Sequence, residues 1–210
     1  MLDTEGRSAV EAQVRALCDS GDFRAAVTQG IESYGPEILG YLLAVTRSET
    51  DANDAFAMFT EDLWRGLPTF RWESSLRTWS YTLARHALHR LHRDPHRRAD
   101  RRVPLSRSPE VYEVAERVRT VTSVYLRTEV KDQVAALREE LDPEDQTLFI
   151  LRLNRRMTWT EIAQIMAEEP GADDTVLERT AARLRKRFER AKEQLKQKVR
   201  ERGIGASLDE

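Results

Sequence analysis

The chain contains one cysteine, Cys18, in 210 residues, which excludes an intrachain disulfide and a cysteine-rich metal site. Cys18 reads as a small helix residue of the core. No apolar run approaches 18 residues, and the N-terminal MLDTEGRSAVEAQ is acidic where a signal peptide would be basic and then apolar. A cytoplasmic protein without a membrane segment is therefore expected. No glycine-rich phosphate loop and no G-x-S-x-G elbow occur, and the carboxylates stand at ordinary helical spacing from arginines. These absences point away from an enzyme and from any cofactor. Glycine and proline are scarce, at 9 and 7 residues, and no segment alternates apolar and polar residues as a half-buried strand does.

What is present is apolar spacing of 3 and 4 almost throughout, which predicts an all-α fold. Helices are expected at 8–19, 22–33, 36–47, 51–67, 74–93, 111–141, 143–154, from Thr158, and at 175–202. Gly35-Pro36 separates the second from the third. Thr158 and Glu161 have the spacing of a capping box. Residues 94–110, DPHRRADRRVPLSRSPE, hold three prolines and few apolar residues. The expected organisation is two helical domains, 1–93 and 131–205, joined by a flexible basic linker at 94–130.

The net charge of −2 conceals segregation. Residues 1–60 carry 4 basic and 10 acidic groups, 61–110 carry 11 and 6, 111–150 carry 5 and 9, and 151–210 carry 14 and 11. Alternating zones suit a protein that touches a polyanion at two places and offers other surfaces to a protein partner. Solvated helix faces would account for them equally well.

Two stretches carry the chemistry. In FRWESSLRTWSYTLARHALHRLHR, residues 70–93, rings stand beside arginines. Unpaired bases stack on rings while cations hold phosphates. A helical projection puts Leu76, Trp79, Leu83, Ala87 and Leu91 on the apolar side and Thr78, Thr82, Arg85, His86, His89 and Arg93 opposite. His86, His89, His92 and His96 lack carboxylate or cysteine neighbours and lie among cations that repel a dication, so no metal is expected. In the second stretch, a short capped helix precedes a long basic one, as in a helix-turn-helix. Between 179 and 202 there are 11 basic and 3 acidic residues. Arg179, Arg183, Lys186 and Arg190 lie opposite the stripe Leu177, Ala181, Leu184, Phe188, Ala191, Leu195 and Val199, and would face DNA.

DANDAFAMFTEDLWR followed by GLPTFRWESSLRTWSYTLARH, and MTWTEIAQIMA followed by LRKRFERAKEQL, resemble regions 2 and 4 of the extracytoplasmic-function (ECF) sigma factors of bacterial RNA polymerase. The resemblance implies promoter DNA and core RNA polymerase as partners, and an anti-sigma factor or a Ser/Thr kinase as regulators. It implies minus-10 contacts from Phe70, Arg71, Trp72, Ser74, Ser75, Arg77, Thr78, Trp79, Tyr81, Arg85, His86 and His89, with a flipped base captured at 70–75. Minus-35 contacts would come from Arg179, Arg183, Arg185, Lys186, Arg187 and Arg190. Polymerase docking would use Asp51, Asn53, Asp54, Ala57, Met58, Glu61 and Asp62, and the linker would thread toward the RNA exit path.

Three departures from the family pattern stand out. His86 replaces an asparagine. EEPGADDTVLE, residues 168–178, lengthens the connection inside the DNA-reading unit, either extending the recognition helix or inserting a hinge. The family's docking acids and amide fall on Asn53, Ala57 and Met58, and Thr60 stands near Glu61 and Asp62, where a phosphate would restore charge. Phosphorylation of Thr60 is the corresponding expectation, similar to kinase-switched branches of the family. The rival reading is a stand-alone helix-turn-helix regulator that binds duplex DNA through 158–202 without polymerase.

Overall fold

The computed structural model describes residues 3–93, 109–126, 140–167 and 172–202. Every described element is helical, and the chain divides into two compact units, 1–128 and 129–210. The first holds α1 (Thr4–Asp19), α2 (Phe23–Thr46), α3 (Glu49–Gly66), a 3-10 turn (Leu67–Thr69), α4 (Leu76–Arg93) and α5 (Pro109–Leu126). Asp3, Asp22 and Ser48 cap α1, α2 and α3 by accepting from Gly6 N, Ala25 N and Asp51 N, which satisfies donors that lack an intrahelical partner.

α2 is the axis of this unit, against which α1, α3, α4 and α5 all pack. The sequence expectation of a break at Gly35-Pro36 is corrected: α2 runs through both residues. A proline inside a helix costs about 3 kcal/mol. That is offset because Ile31, Tyr34, Ile38, Leu39 and Leu42 are buried on either side of it, at about 1.5–3 kcal/mol for each large apolar side chain. Gly35 serves packing instead of termination. A Cβ there would lie 3.2 Å from Val118 Cγ1 of α5 and 3.5 Å from Phe56 Cζ of α3.

α5 buries Val111, Val114, Ala115 and Val118, so residues 109–126 are part of the first compact unit, whereas the sequence reading counts them in the linker. Residues 94–108 and 127–139 lie outside the described residues, and with them His96 and much of the expected linker.

The second unit holds α6 (Pro143–Phe149), which continues as a π turn (Ile150–Asn154), then α7 (Trp159–Met166) and α8 (Asp174–Glu201). Thr158 caps α7 with the reciprocal Glu161 bonds that the spacing predicts. α8 buries Leu184, Phe188, Ala191 and Leu195, the centre of the expected stripe. Its N-cap is Asp173, so residues 174–178 of the added segment form the first turns of a longer helix; 168–171 lie outside the described residues.

Candidate nucleic-acid interface

The 3-10 turn at Leu67–Thr69, seeded by Pro68, ends α3 and sends the chain into a short loop before α4. Three rings gather there. Phe70 stacks on Trp79 with centroids 4.4 Å apart and planes at 16°, and Trp72 meets Phe70 at 4.9 Å. All three are half-buried. Trp79 also lies against Gly66, where a Cβ would come within 2.9 Å of Trp79 Cζ2. Trp72 adopts φ 60, a left-handed conformation that costs a bulky residue about 1–3 kcal/mol and persists only where its surroundings hold it. Its ring lies under the Arg15 guanidinium, 5.5 Å from the centroid. Arg71 and Glu73 are exposed, 3.8 Å apart, and Ser74 is half-buried.

α4 begins on an unusually complete set of caps. Ser75 Oγ accepts from Thr78 N at 3.0 Å and meets Thr78 Oγ1 at 2.9 Å. Leu76 N and Arg77 N donate to the Glu11 carboxylate of α1, at 2.8 and 3.1 Å, and the Tyr34 hydroxyl donates to the same carboxylate at 3.0 Å. Burial, then the Glu11 charge, raises the Tyr34 phenol well above its ordinary pKa.

Three of the expected minus-10 residues, Arg77, Thr78 and Tyr81, are buried in this chain. Arg77 is 3% exposed and donates through Nε to Glu37 at 2.7 Å. Thr78 and Tyr81 are buried, and Tyr81 packs on Tyr41 at 5.3 Å. The helical projection fails because α4 packs on both α2 and α3, which covers more of its circumference than one stripe. Ser80, Ala84 and Leu88 are buried as well, while Trp79 and Leu83 are only half-buried. The accessible set is therefore Phe70, Arg71, Trp72, Ser74, Ser75, Trp79, Arg85, His86 and His89. Partial burial lowers the His86 pKa, and Arg85 and Arg90 lower it further against the opposing pull of Asp62. The neutral imidazole offers one donor and one acceptor.

On α3, Asp51, Asn53, Asp54, Met58, Glu61 and Asp62 are half-buried and Ala57 is exposed. Arg119 of α5 donates to Asn53 Oδ1 at 3.2 Å, Arg65 pairs with Glu61, and Arg90 pairs with Asp62. Thr60, the expected phosphorylation site, lies in the core. Its side chain is fully buried and Oγ1 donates to Ala57 O at 2.9 Å. A kinase needs a solvated hydroxyl, and a phosphate placed in the turn of Phe59 and Leu63 would carry about two charges into a core.

In the second unit Arg179, Arg183, Lys186 and Arg190 are exposed on α8 as the spacing predicts. Arg185 is exposed too, but its guanidinium lies 5.7 Å over the Trp159 ring, which Arg152 approaches at 5.0 Å. Arg187, an expected minus-35 contact, is engaged by acidic residues of its own unit. It donates to Asp145 at 2.5 Å, Glu144 at 2.5 Å and Asp142 at 2.8 Å, tying α8 to the start of α6. The sequence reading missed Glu11, Arg15 and Glu37. One signal was available for Glu11: the first turn of α4 has no acidic residue of its own, so its free N–H groups must find an acceptor elsewhere.

Residues 31–99 match the family model for sigma-70 region 2. This segment is similar to sigma-70 region 2. It takes in the three-ring loop and all of α4, and it starts after α1. The chain is also similar to the RNA polymerase sigma factor YlaC of Bacillus subtilis strain 168, at 29% identity over 175 residues, which covers 81% of this chain and 96% of that protein. No solved structure matches significantly. The matched segment spans α2 from Ile31 onward, α3, the ring cluster and α4, while α1 and α5 pack around it. Among the described residues no helix is long and apolar enough to cross a membrane.

Proposed function

We propose that the chain is an ECF sigma factor that docks on core RNA polymerase, opens promoter DNA and performs no chemistry of its own. The observation that carries this reading is the half-buried Phe70, Trp72 and Trp79 cluster at the mouth of α4, inside the segment that matches region 2. Half-buried rings, with Arg71, Arg85 and His89 within the same segment, suit an unpaired base and its phosphates. The α3 face carrying Asp51, Asn53, Asp54, Ala57, Met58, Glu61 and Asp62 is the surface for polymerase. Arg179, Arg183, Lys186 and Arg190 of α8 would meet minus-35 duplex, with Arg185 at their edge. An anti-sigma protein is the class of regulator able to mask such surfaces. The burial of Thr60 speaks against a phosphate switch in packed α3.

Run-off transcription with the purified chain and core polymerase tests the reading. The expected result is transcripts that depend on the chain, with weak duplex binding until polymerase is added. Tight duplex binding by the chain alone, together with no association with core polymerase, would instead establish the stand-alone regulator.

A further inference from the structure

The ring loop is held at Trp72 and at its exit into α4 by a helix that lies before the segment matching region 2. Glu11 and Arg15 are one turn apart on α1. Glu11 accepts from the first two N–H groups of α4, Leu76 and Arg77, and from the Tyr34 hydroxyl. A carboxylate there satisfies donors that the helix cannot, and it complements the positive end of the helix dipole. Arg15 covers Trp72, the loop residue with φ 60. One turn of α1 therefore fixes the ring of Trp72 and the start of the helix that carries Trp79.

We infer that Glu11 and Arg15 are positioning residues that hold the 70–75 loop ready for a flipped base. The inference rests on the proposed sigma-factor reading. A loop that orders only on capture loses the ordering free energy from what is left to separate the strands. A preformed one does not. Glu11 and Arg15 act through the loop, and neither needs to touch DNA. Their effect should accordingly be confined to the step in which a paired base leaves the duplex.

The test uses the full chain with core polymerase and a duplex template that the wild type opens, selected from a pool randomised upstream of the start site. Opening is followed by permanganate reactivity of unpaired thymines. E11Q and R15A are each expected to slow opening by about tenfold or more, the scale of a small misplacement of reacting parts, while binding core polymerase like the wild type. On the same template with the minus-10 segment already unpaired, transcription should return to within about threefold of wild type, because the step that needs a positioned loop is bypassed. Opening of the duplex at the wild-type rate by both variants overturns the inference. So does an equal loss on paired and unpaired templates, which a merely structural role would give. If E11Q does not fold, R15A decides, since Arg15 is exposed. Failure of the wild type itself to bind core polymerase refutes the function reading, and this inference with it.

Discussion

α4 and α8 look alike in sequence and differ in what their polar residues do. Each carries cations at spacings of 3 and 4 opposite an apolar stripe. On α4, Arg77, Thr78, Ser80 and Tyr81 are buried, because α2 and α3 both pack against the helix and α1 supplies the acceptor for its first N–H groups. On α8, Arg179, Arg183, Lys186 and Arg190 are exposed, because its buried residues form a single row. Spacing reports which residues share a face. The number of neighbouring helices decides whether that face is free.

The contrast breaks most sharply at Arg77 and Arg183. Arg77→Ala leaves Glu37, itself 11% exposed, without its buried partner, and such losses cost about 3–5 kcal/mol. Arg183→Ala, at an exposed site, should change stability by less than about 0.5 kcal/mol. Urea denaturation of both variants measures the difference. Similar small changes would mean that the two helices are not distinguished by burial.

Gly66→Ala sharpens the account of the ring cluster. The added Cβ would meet the Trp79 ring at 2.9 Å, so the ring must move off Phe70, an overpacking that costs about 1–3 kcal/mol. Better helix propensity returns about 1 kcal/mol of this. The expected outcome is a net loss of about 1 kcal/mol in thermal unfolding, with a change in tryptophan emission. An unchanged emission spectrum would contradict the packing of Trp79 on Gly66.

On α8 the comparison is internal. On the proposed reading, Arg183→Ala should lower the salt dependence of duplex binding by the chain with core polymerase by about one unit of slope, as a lost phosphate contact does. Arg187→Ala should leave that slope unchanged and destabilise the second unit by about 1 kcal/mol, a modest figure because Asp142 and Glu144 are largely exposed and only Asp145 is mostly buried. Filter binding across a salt series, paired with thermal unfolding, separates the two arginines.

Much of this architecture was legible locally. Helical spacing marks Phe56, Phe59, Leu63 and Leu67 of the α3 region as core, and Thr158 with Glu161 as the start of α7; all are placed so. The break at Pro36 misleads because the cost of a proline is local while the burial that outweighs it comes from α3 and α5. Thr60 is buried for the same reason. Its hydroxyl bonds its own helix at Ala57 O, which lets it enter a core that sequence hydropathy would deny it. The Phe70, Trp72 and Trp79 cluster is visible as composition, but its anchors lie 65 and 66 residues apart in sequence, as the Glu11 bonds to Leu76 and Arg77 show. No periodicity within α1 or α4 encodes that pairing.

His86 offers the smallest and most specific test of the α4 surface. Partial burial and the charges of Arg85 and Arg90 depress its pKa below the ordinary 6.5, so the folded chain binds its proton less readily than the unfolded one. The neutral imidazole contributes stability that is fully present above about pH 6.5. That contribution is lost as pH falls through the depressed folded value. Asp62 moderates the effect, and because the site is partly solvated the loss should stay under about 1 kcal/mol. His86→Asn removes the titration, so the stability of wild type and variant should converge above pH 7 and diverge on acidification, with the variant the more acid-tolerant. Parallel unfolding curves from pH 7.5 to 5 would show that His86 is solvated like any surface histidine. Its imidazole would then be charged in mild acid and free to pair with phosphate, and the neutral face that α4 presents near Arg85 would not exist.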